Sequence, residues 1–593
     1  MIVASPSANQ PAVALLPAMV QSWGMEAPHG VEMRAVGDTP GEAAMAHGLL
    51  RTRTGATLGP HTLDQRRWLV GDVRLDAQDE LRAALRAAGS PLRGDECDDL
   101  LVLRAYDAWG DGAVDHLLGD YSFALWDSDT HTLLCARDGL GMRPLFFAHV
   151  DGTFVCSNVL LAVRAHPQVS AALYEPAVVS FLQHGFNVDP RRTTFAQIRR
   201  VPSAQQFSVS AERGIHGERE HWTFPNPAPL RYADARDYVE HFRALLGDVV
   251  RDRLRLPRVG IQLSGGLDSP SLAATARRVA PEVRLDGFTI DYSSRMADDE
   301  ARLASLVAHQ LGMRHQVHNG WSPPLEYVDD ASLRFPEPLD ALDFAEVRRE
   351  AARLAAVSSV VINGEDGDAL FAPPGLLTMA RAWGWGSVLG STVRYAASYG
   401  RVPHTGLWLR RRVRDAWRER GAAPPSFVRR DVARRVGEVP IVTALRHPTR
   451  PEAVEYLSST FWQNLIELSR PSWTGAPVET VWPFRDSRLL AFVFSIPPIP
   501  WCQRKTLIRV AFQGELPDEV LARPKTPLRA MGEVTEADVR ERVTGRSAKL
   551  TVQSDSFLDT AKLLHFLSMW REGPEFWPAL RALQLDRWLA GLD

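Results

Sequence analysis

Early in the chain, apolar residues come in short blocks whose period changes from one block to the next. Arg67 to Leu75 reads RWLVGDVRL, a strand-like run. It is followed by AQDELRAALRAAG, where Leu81 and Leu85 recur at helical spacing before Gly89. A second helix is predicted over DDLLVLRAYDAWG, with its apolar residues on one stripe and a stop at Gly110. Beyond it, GDYSFALWDSDTHTLLCARDGLGMRPLFFAHVDGTFVCSN alternates β-rich runs with Asp, Gly and Asn turns, the pattern of a hairpin series.

The pattern changes after His221. WTFPNPAPLRYA is proline-rich and aperiodic, as a linker is, so the chain divides into residues 1–222 and 223–593. ADARDYVEHFRALLGDVVRDRL then has helical periodicity, and VGIQLS is the near-continuous apolar run of a buried parallel strand. Strand and helix alternate from there. LDGFTID and RHQVH read as strands, DDEARLASLVAHQLG and FAEVRREAARLAA as helices, and SSVVING as a further strand end. A β-rich first domain and a doubly wound α/β second domain are predicted, with ligands at the carboxyl ends of the parallel strands.

A length of 593 residues suits two large domains. The net charge of −3 gives no overall attraction to nucleic acid or to anionic membrane, so any polyanion site must be local. The N-terminal stretch lacks a basic n-region and no apolar run is long enough to span a bilayer, so a cytoplasmic protein is expected. Cys97, Cys135, Cys156 and Cys502 show no CxxC spacing and read as buried free thiols.

The most informative segment is LSGGLDSP, from Leu263 to Pro270. Gly265 and Gly266 permit a tight path on which successive N–H groups converge on an anion, and the next helix points its positive end there. Ser264 and Ser269 add hydroxyl donors, while Asp268 suits a Mg²⁺ ligand. The whole string resembles the pyrophosphate loop of the N-type ATP pyrophosphatases, which split ATP to AMP and pyrophosphate. Pro270 replaces that motif's last serine and fits the first turn of a helix.

VVINGEDGDALF, then WPFRDSRLLAFVFSIPP and KTLIRVAFQGELPDEVLARPKTPL, resemble the synthetase domain of the asparagine synthetase superfamily. That resemblance implies ATP and Mg²⁺ as cofactors and Asp368 as a second metal carboxylate opposite Asp268. It also implies Glu365 as the group facing the acceptor amine, Lys505 as a stabiliser of charge in the reaction, and Lys525 on pyrophosphate. Ile290 and Gly364 complete the implied nucleotide site.

LLGDYSFALWD and ARDGLGMRPLFF in turn resemble that superfamily's N-terminal glutaminase domain, an Ntn-type β-sandwich. Its nucleophilic cysteine position is Ile2 here, and the stretch equivalent to its oxyanion-stabilising Asn-Gly pair reads Val70-Gly71-Asp72, where valine has no amide to donate, so the domain is read as a scaffold without glutaminase activity.

Members lacking that cysteine include β-lactam synthetases and lasso peptide cyclases, and Glu365 stands where β-lactam synthetases carry a tyrosine. Residues 372–471 contain WGWG, LWLRRRVRDAWRERG and FVRRDVARRVG, whose arginines and tryptophans suit either a long peptide substrate or amphipathic helices with solvated basic faces. Together these features favour a lasso peptide cyclase forming a macrolactam in a precursor peptide, with a leader peptidase and a leader-binding protein as implied partners. An ammonia-dependent asparagine synthetase and a β-lactam synthetase-like ligase are the alternatives. A tRNA-modifying protein is disfavoured by charge and cysteine pattern, and an inactive scaffold by the presence of Asp268, Asp368 and Lys505.

Overall fold

The computed structural model describes residues 2–4, 12–37, 43–291, 293, 299–320, 334–341, 343–404, 423–440, 447–524, 550–569 and 575–592. The hairpin series of the first half builds two six-stranded antiparallel sheets. One runs Arg199–Arg200, Phe146–Val150, Thr153–Ser157, Ile2–Ala4, Ala43–Gly48, Val31–Val36. The other runs Gly214–Glu220, Gln205–Ser210, Thr132–Arg137, Gly119–Asp127, Arg67–Leu75, His61–Thr62.

Strand alternation explains why GDYSFALWD is so continuously apolar. Ala124 and Trp126 point into the core between the sheets, with Met45, Trp68, Phe147 and Phe154. Tyr121, Phe123 and Leu125 point the other way, under the helices Gln78–Ala87 and Asp98–Trp109. Both faces are covered, so a strand of this sheet needs apolar residues at successive positions.

The second half carries a five-stranded parallel sheet in the order Arg314–Asn319, Arg284–Asp291, Arg258–Gln262, Val360–Ile362, Glu479–Val481. Its chain starts at the centre, winds to one edge and then crosses to the other side. The switch point lies between Arg258–Gln262 and Val360–Ile362, the place where doubly wound sheets bind ligands in the crevice at their strand ends. LSGGLD and NGED are the loops that leave those two strands.

The halves are not packed independently. The helices Arg430–Val436 and Phe576–Leu589 lie on the first-half helix Glu175–His184, and Val178, Leu182, Phe427, Val432, Leu580 and Leu585 share one core. FVRRDVARRVG thereby takes the amphipathic-helix course: Val432 is buried, and Arg435 pairs with Glu175 at 2.7 Å and with Asp431 at 3.3 Å. LWLRRRVRDAWRERG lies outside the described residues. Among the described residues, no helix is long and apolar enough to cross a membrane.

Candidate active site

The glycine loop leaves the central strand through Leu263, whose N–H donates to the Phe288 carbonyl at 2.7 Å and whose carbonyl accepts from the Thr289 hydroxyl at 2.6 Å. These two bonds fix the take-off of the loop. The helix that follows is Asp268–Val279, with Ser269 and Pro270 in its first turn. Ser264 N–H donates to Ser269 Oγ at 2.9 Å and Gly266 N–H to Ser264 Oγ at 3.2 Å, so the hydroxyls brace the loop across its mouth.

Three residues far apart in sequence meet beside it. Lys505 Nζ lies 2.5 Å from Asp268 Oδ2 and 2.6 Å from Asp368 Oδ1. Two carboxylates from separate loops converging on one positive charge are a donor set of the hard-oxygen kind that Mg²⁺ takes. Close approach of the loops depends on glycine. A Cβ on Gly364 would lie 2.6 Å from Ser269 N, and one on Gly367 2.5 Å from the Asp268 carboxylate.

The backbone at this place is strained as well. Asp366, Arg504 and Lys505 have φ of 72°, 50° and 56°, a left-handed conformation costing a non-glycine residue roughly 1–2 kcal/mol. Packing and hydrogen bonds hold it there. Gln503 is buried and exchanges two hydrogen bonds with the His404 backbone, at 2.8 and 3.3 Å. Asp366 forms a buried pair with Arg485 at 2.5 Å.

Glu365 is exposed to solvent in the NGED loop, with protein crowding its carboxyl on the inner side. Removal from water, reinforced by Asp366 and Glu350, pushes its carboxyl up to about 7 against the pull of Arg485. A hydrogen-bond chain holds its loop. Glu365 N–H donates to Asn363 Oδ1 at 2.6 Å, Asn363 to Gln262 at 2.6 Å, and Gln262 to Glu350 at 3.1 Å.

Leu263, Ser264, Gly265, Gly266, Gly364 and Glu365 belong to the two loops of the switch point, Asp268, Ser269 and Asp368 to the first turns of the helices that follow them, and Lys505 reaches them from a distant turn. Ile290 is half-buried near the end of its strand, Arg284–Asp291. Lys525 lies outside the described residues.

Sequence reasoning overlooked Tyr456. Its phenol is half-exposed on the helix Pro451–Leu457 and is pushed up to about 12 by burial and by Asp366, Glu365 and Asp368. The ring packs on Trp462 at 4.9 Å, and Trp462 lies under the Arg485 guanidinium. No spacing in the sequence links Tyr456 to the loops, because helix packing alone brings it there.

A second cavity, of about 130 Å³, opens where the first half meets the second and is lined by His47, Asp72, Asp99, Arg143, Cys156 and Arg470 among others. Asp72 contacts Arg470 at 2.5 Å and Arg143 at 3.5 Å. Burial alone would raise its carboxyl, but the two guanidinium groups outweigh that and hold it at about 2. His47 accepts the Gly59 N–H on Nδ1 at 2.7 Å, and burial with the neighbouring His61 lowers it to about 3.

Comparison with known proteins places both halves. Residues 241–590 match the asparagine synthase model, and residues 54–222 match that of a glutamine amidotransferase domain. The glutamine-hydrolysing asparagine synthetase 3 of Bacillus subtilis (strain 168) is 24% identical over 473 residues, 76% of this chain and 73% of the relative. Asparagine synthetase 1 of the same organism is 25% identical over 317 residues, 52% of this chain and 48% of its own length. Amidase chyE of Penicillium rubens is 27% identical over 313 residues, 50% and 45% respectively. The chain belongs to the asparagine synthase family of ATP-dependent carbon–nitrogen ligases, with a glutamine amidotransferase domain in its first half.

Proposed function

We propose that this protein activates a carboxylate as its adenylate, releasing pyrophosphate, and transfers the acyl group to an amine with release of AMP. The convergence of Asp268, Asp368 and Lys505 beside the glycine loop carries this reading. Asp268 and Asp368 would hold Mg²⁺, which neutralises phosphate charge and so eases departure of pyrophosphate. The loop amides and the start of the helix Asp268–Val279 bind the phosphates, while Lys505 balances charge developing at the α-phosphate and the acyl centre. Glu365, with a carboxyl near neutrality, takes a proton from the attacking ammonium so that the free amine reaches the adenylate.

The substrates proposed are the N-terminal amine and an Asp or Glu side chain of one precursor peptide, joined into a macrolactam as in lasso peptides, with a leader peptidase and a leader-binding protein upstream. Ile2 and Val70 support an amine source other than glutamine: the first side chain carries no nucleophile and the second, which lines the first-half cavity, has no hydrogen-bond donor to offer an oxyanion. Asparagine formation from aspartate and free ammonia is the second reading, supported by the names of the Bacillus relatives.

Incubation with ATP and either L-aspartate plus ammonium or a linear peptide of lasso type, followed by mass spectrometry, separates the two. Loss of one water from the peptide with AMP formation supports the macrolactam, and asparagine supports the alternative. ADP with inorganic phosphate as the nucleotide products would reject adenylation.

A further inference from the structure

Three elements deliver an amide, a carboxylate and a guanidinium to one point of the glycine loop. Gly265 N–H donates to Glu300 Oε2 at 2.8 Å, and Arg523 Nη1 donates to Glu300 Oε1 at 2.7 Å. Glu300 opens the helix Glu300–Gln310, and Arg523 follows the helix Asp518–Ala522. Both side chains are largely withdrawn from water, at 17% and 13% exposed. Only glycine fits between them. A Cβ on Gly265 would stand 2.7 Å from Arg523 Nη1 and 2.9 Å from both the Glu300 carbonyl oxygen and Leu303 Cβ.

A carboxylate that takes a loop N–H on one oxygen and a guanidinium on the other uses the donors that two phosphate oxygens would use. We propose that Arg523 is a phosphate-binding residue of the nucleotide site and that Glu300 is an internal anion competing with pyrophosphate for Arg523 and the Gly265 amide. This rests on the crevice being the nucleotide site proposed above.

Phosphates arriving at the loop repel the Glu300 carboxylate and take over its two donors. Glu300 then has a second favourable place, because a carboxylate in the first turn of its own helix is stabilised by the amides and dipole there. Displacement therefore lowers phosphate affinity without abolishing it, and the same competition hastens departure of the pyrophosphate product.

The sign of one substitution distinguishes this from a purely structural role. Glu300→Gln keeps an oxygen for Gly265 N–H but weakens the hold on Arg523, so phosphate binding should strengthen. Were Glu300 only a brace for the loop, the same change would weaken it. Calorimetric titration of the full chain with magnesium pyrophosphate and with MgATP reads the difference.

Glu300→Gln should tighten both by about 3- to 10-fold, and Arg523→Ala should weaken both by about tenfold or more. Arg523→Lys should recover part of the loss, and the double variant should bind like Arg523→Ala. Thermal melts of every variant separate these effects from unfolding, with Arg523→Lys serving if Arg523→Ala does not fold. Weaker binding in folded Glu300→Gln, or unchanged binding in Arg523→Ala, overturns the proposal. A folded wild-type chain that binds neither ligand overturns the nucleotide reading itself.

Discussion

In the first-half cavity Asp72 lies between Arg143 and Arg470, and each guanidinium has a second carboxylate, Glu479 for Arg143 and Glu26 for Arg470. At the end of the parallel sheet Asp268, Glu365, Asp366 and Asp368 crowd together, and Lys505 and Arg485 supply the facing positive charge. Charges in the first place are mutually satisfied, and Asp72 is driven far toward the ionised form. In the second the excess of acid is larger, four acids to two bases against three to two in the first, Glu365 is pushed toward neutrality, and three non-glycine residues sit in left-handed backbone. A matched network fixes a shape, whereas an acid-rich crevice beside amide donors is suited to bind a cation and a polyphosphate together. Similar residue types thus form a seam between halves in one place and, under the function proposed above, reaction machinery in the other.

The sharpest way to break this contrast is to neutralise the crevice acids. If the proposed adenylation holds, Asp268→Asn and Asp368→Asn should each lower ATP-dependent pyrophosphate release by about 10³-fold or more, since each would remove one of the two charged ligands proposed for Mg²⁺. Circular dichroism and melting should change little, because Asp368 is exposed and Asp268 lies at the crevice mouth. Retained pyrophosphate release in either variant would remove these two residues from the metal site. Lys505→Ala comes next, with a loss of about 10²- to 10³-fold in turnover and a modest change in ATP affinity, as expected when an interaction is made chiefly in the transition state. A large rise in the Kd of ATP with unchanged turnover would make Lys505 a ground-state ligand instead.

Glu365 gives a pH-dependent test. A base must be deprotonated to act, so with its carboxyl at about 7 the amide-forming step should rise with pH through that value and level off above it. A carboxylate without crowding by neighbouring acids would already be ionised near pH 5 and give no such limb. Single-turnover rates from pH 5.5 to 8.5 should therefore climb about tenfold per pH unit on the acid side. Glu365→Gln should flatten that limb and leave adenylation, read as ATP–pyrophosphate exchange, nearly intact. Persistence of the same limb in the variant would assign it to another group.

Much of this was readable in the chain because the relevant signals are local. The strand Arg258–Gln262, the glycines after it and the helix Asp268–Val279 are contiguous, so period and turn chemistry alone place the loop at a strand end. The same holds for Val360–Ile362 and NGED. What escaped sequence reading arises from packing between distant segments. Glu300 and Arg523 meet at Gly265 from positions 223 residues apart, and Tyr456 reaches the acids through a helix with no motif of its own. The left-handed turn at Arg504 and Lys505 was equally hidden, since neither residue favours it and only the surrounding contacts impose it. The basic stretch illustrates a different limit. Patterning in FVRRDVARRVG left a peptide-holding surface and an amphipathic helix both open, and nothing in it said that the apolar stripe belongs to a core shared with the first half.

The smallest effect on activity is expected in the seam. Asp72→Asn should leave ligase turnover within about twofold of wild type, because the residue lies in the first-half cavity and touches none of the crevice groups. It should also gain no glutaminase activity, because a side-chain amide at position 72 leaves Ile2 and Val70 as they are and a hydrogen-bond donor alone does not hydrolyse an amide. Stability should respond instead. Breaking an isolated buried pair costs about 3–5 kcal/mol, but Arg143 keeps Glu479 and Arg470 keeps Glu26, so a loss nearer about 1–2 kcal/mol is expected. The pH dependence has a definite sign. The carboxyl of Asp72 is held at about 2 in the folded chain, below its usual 3.8, so its contribution is complete above pH 4 to 5 and is lost as pH falls toward 2. Urea unfolding at pH 7 and pH 3 should accordingly show a stability difference between wild type and Asp72→Asn that narrows at the lower pH. A difference that stayed constant with pH would mean that shape at position 72, and not the charge of its carboxylate, holds the two halves together there.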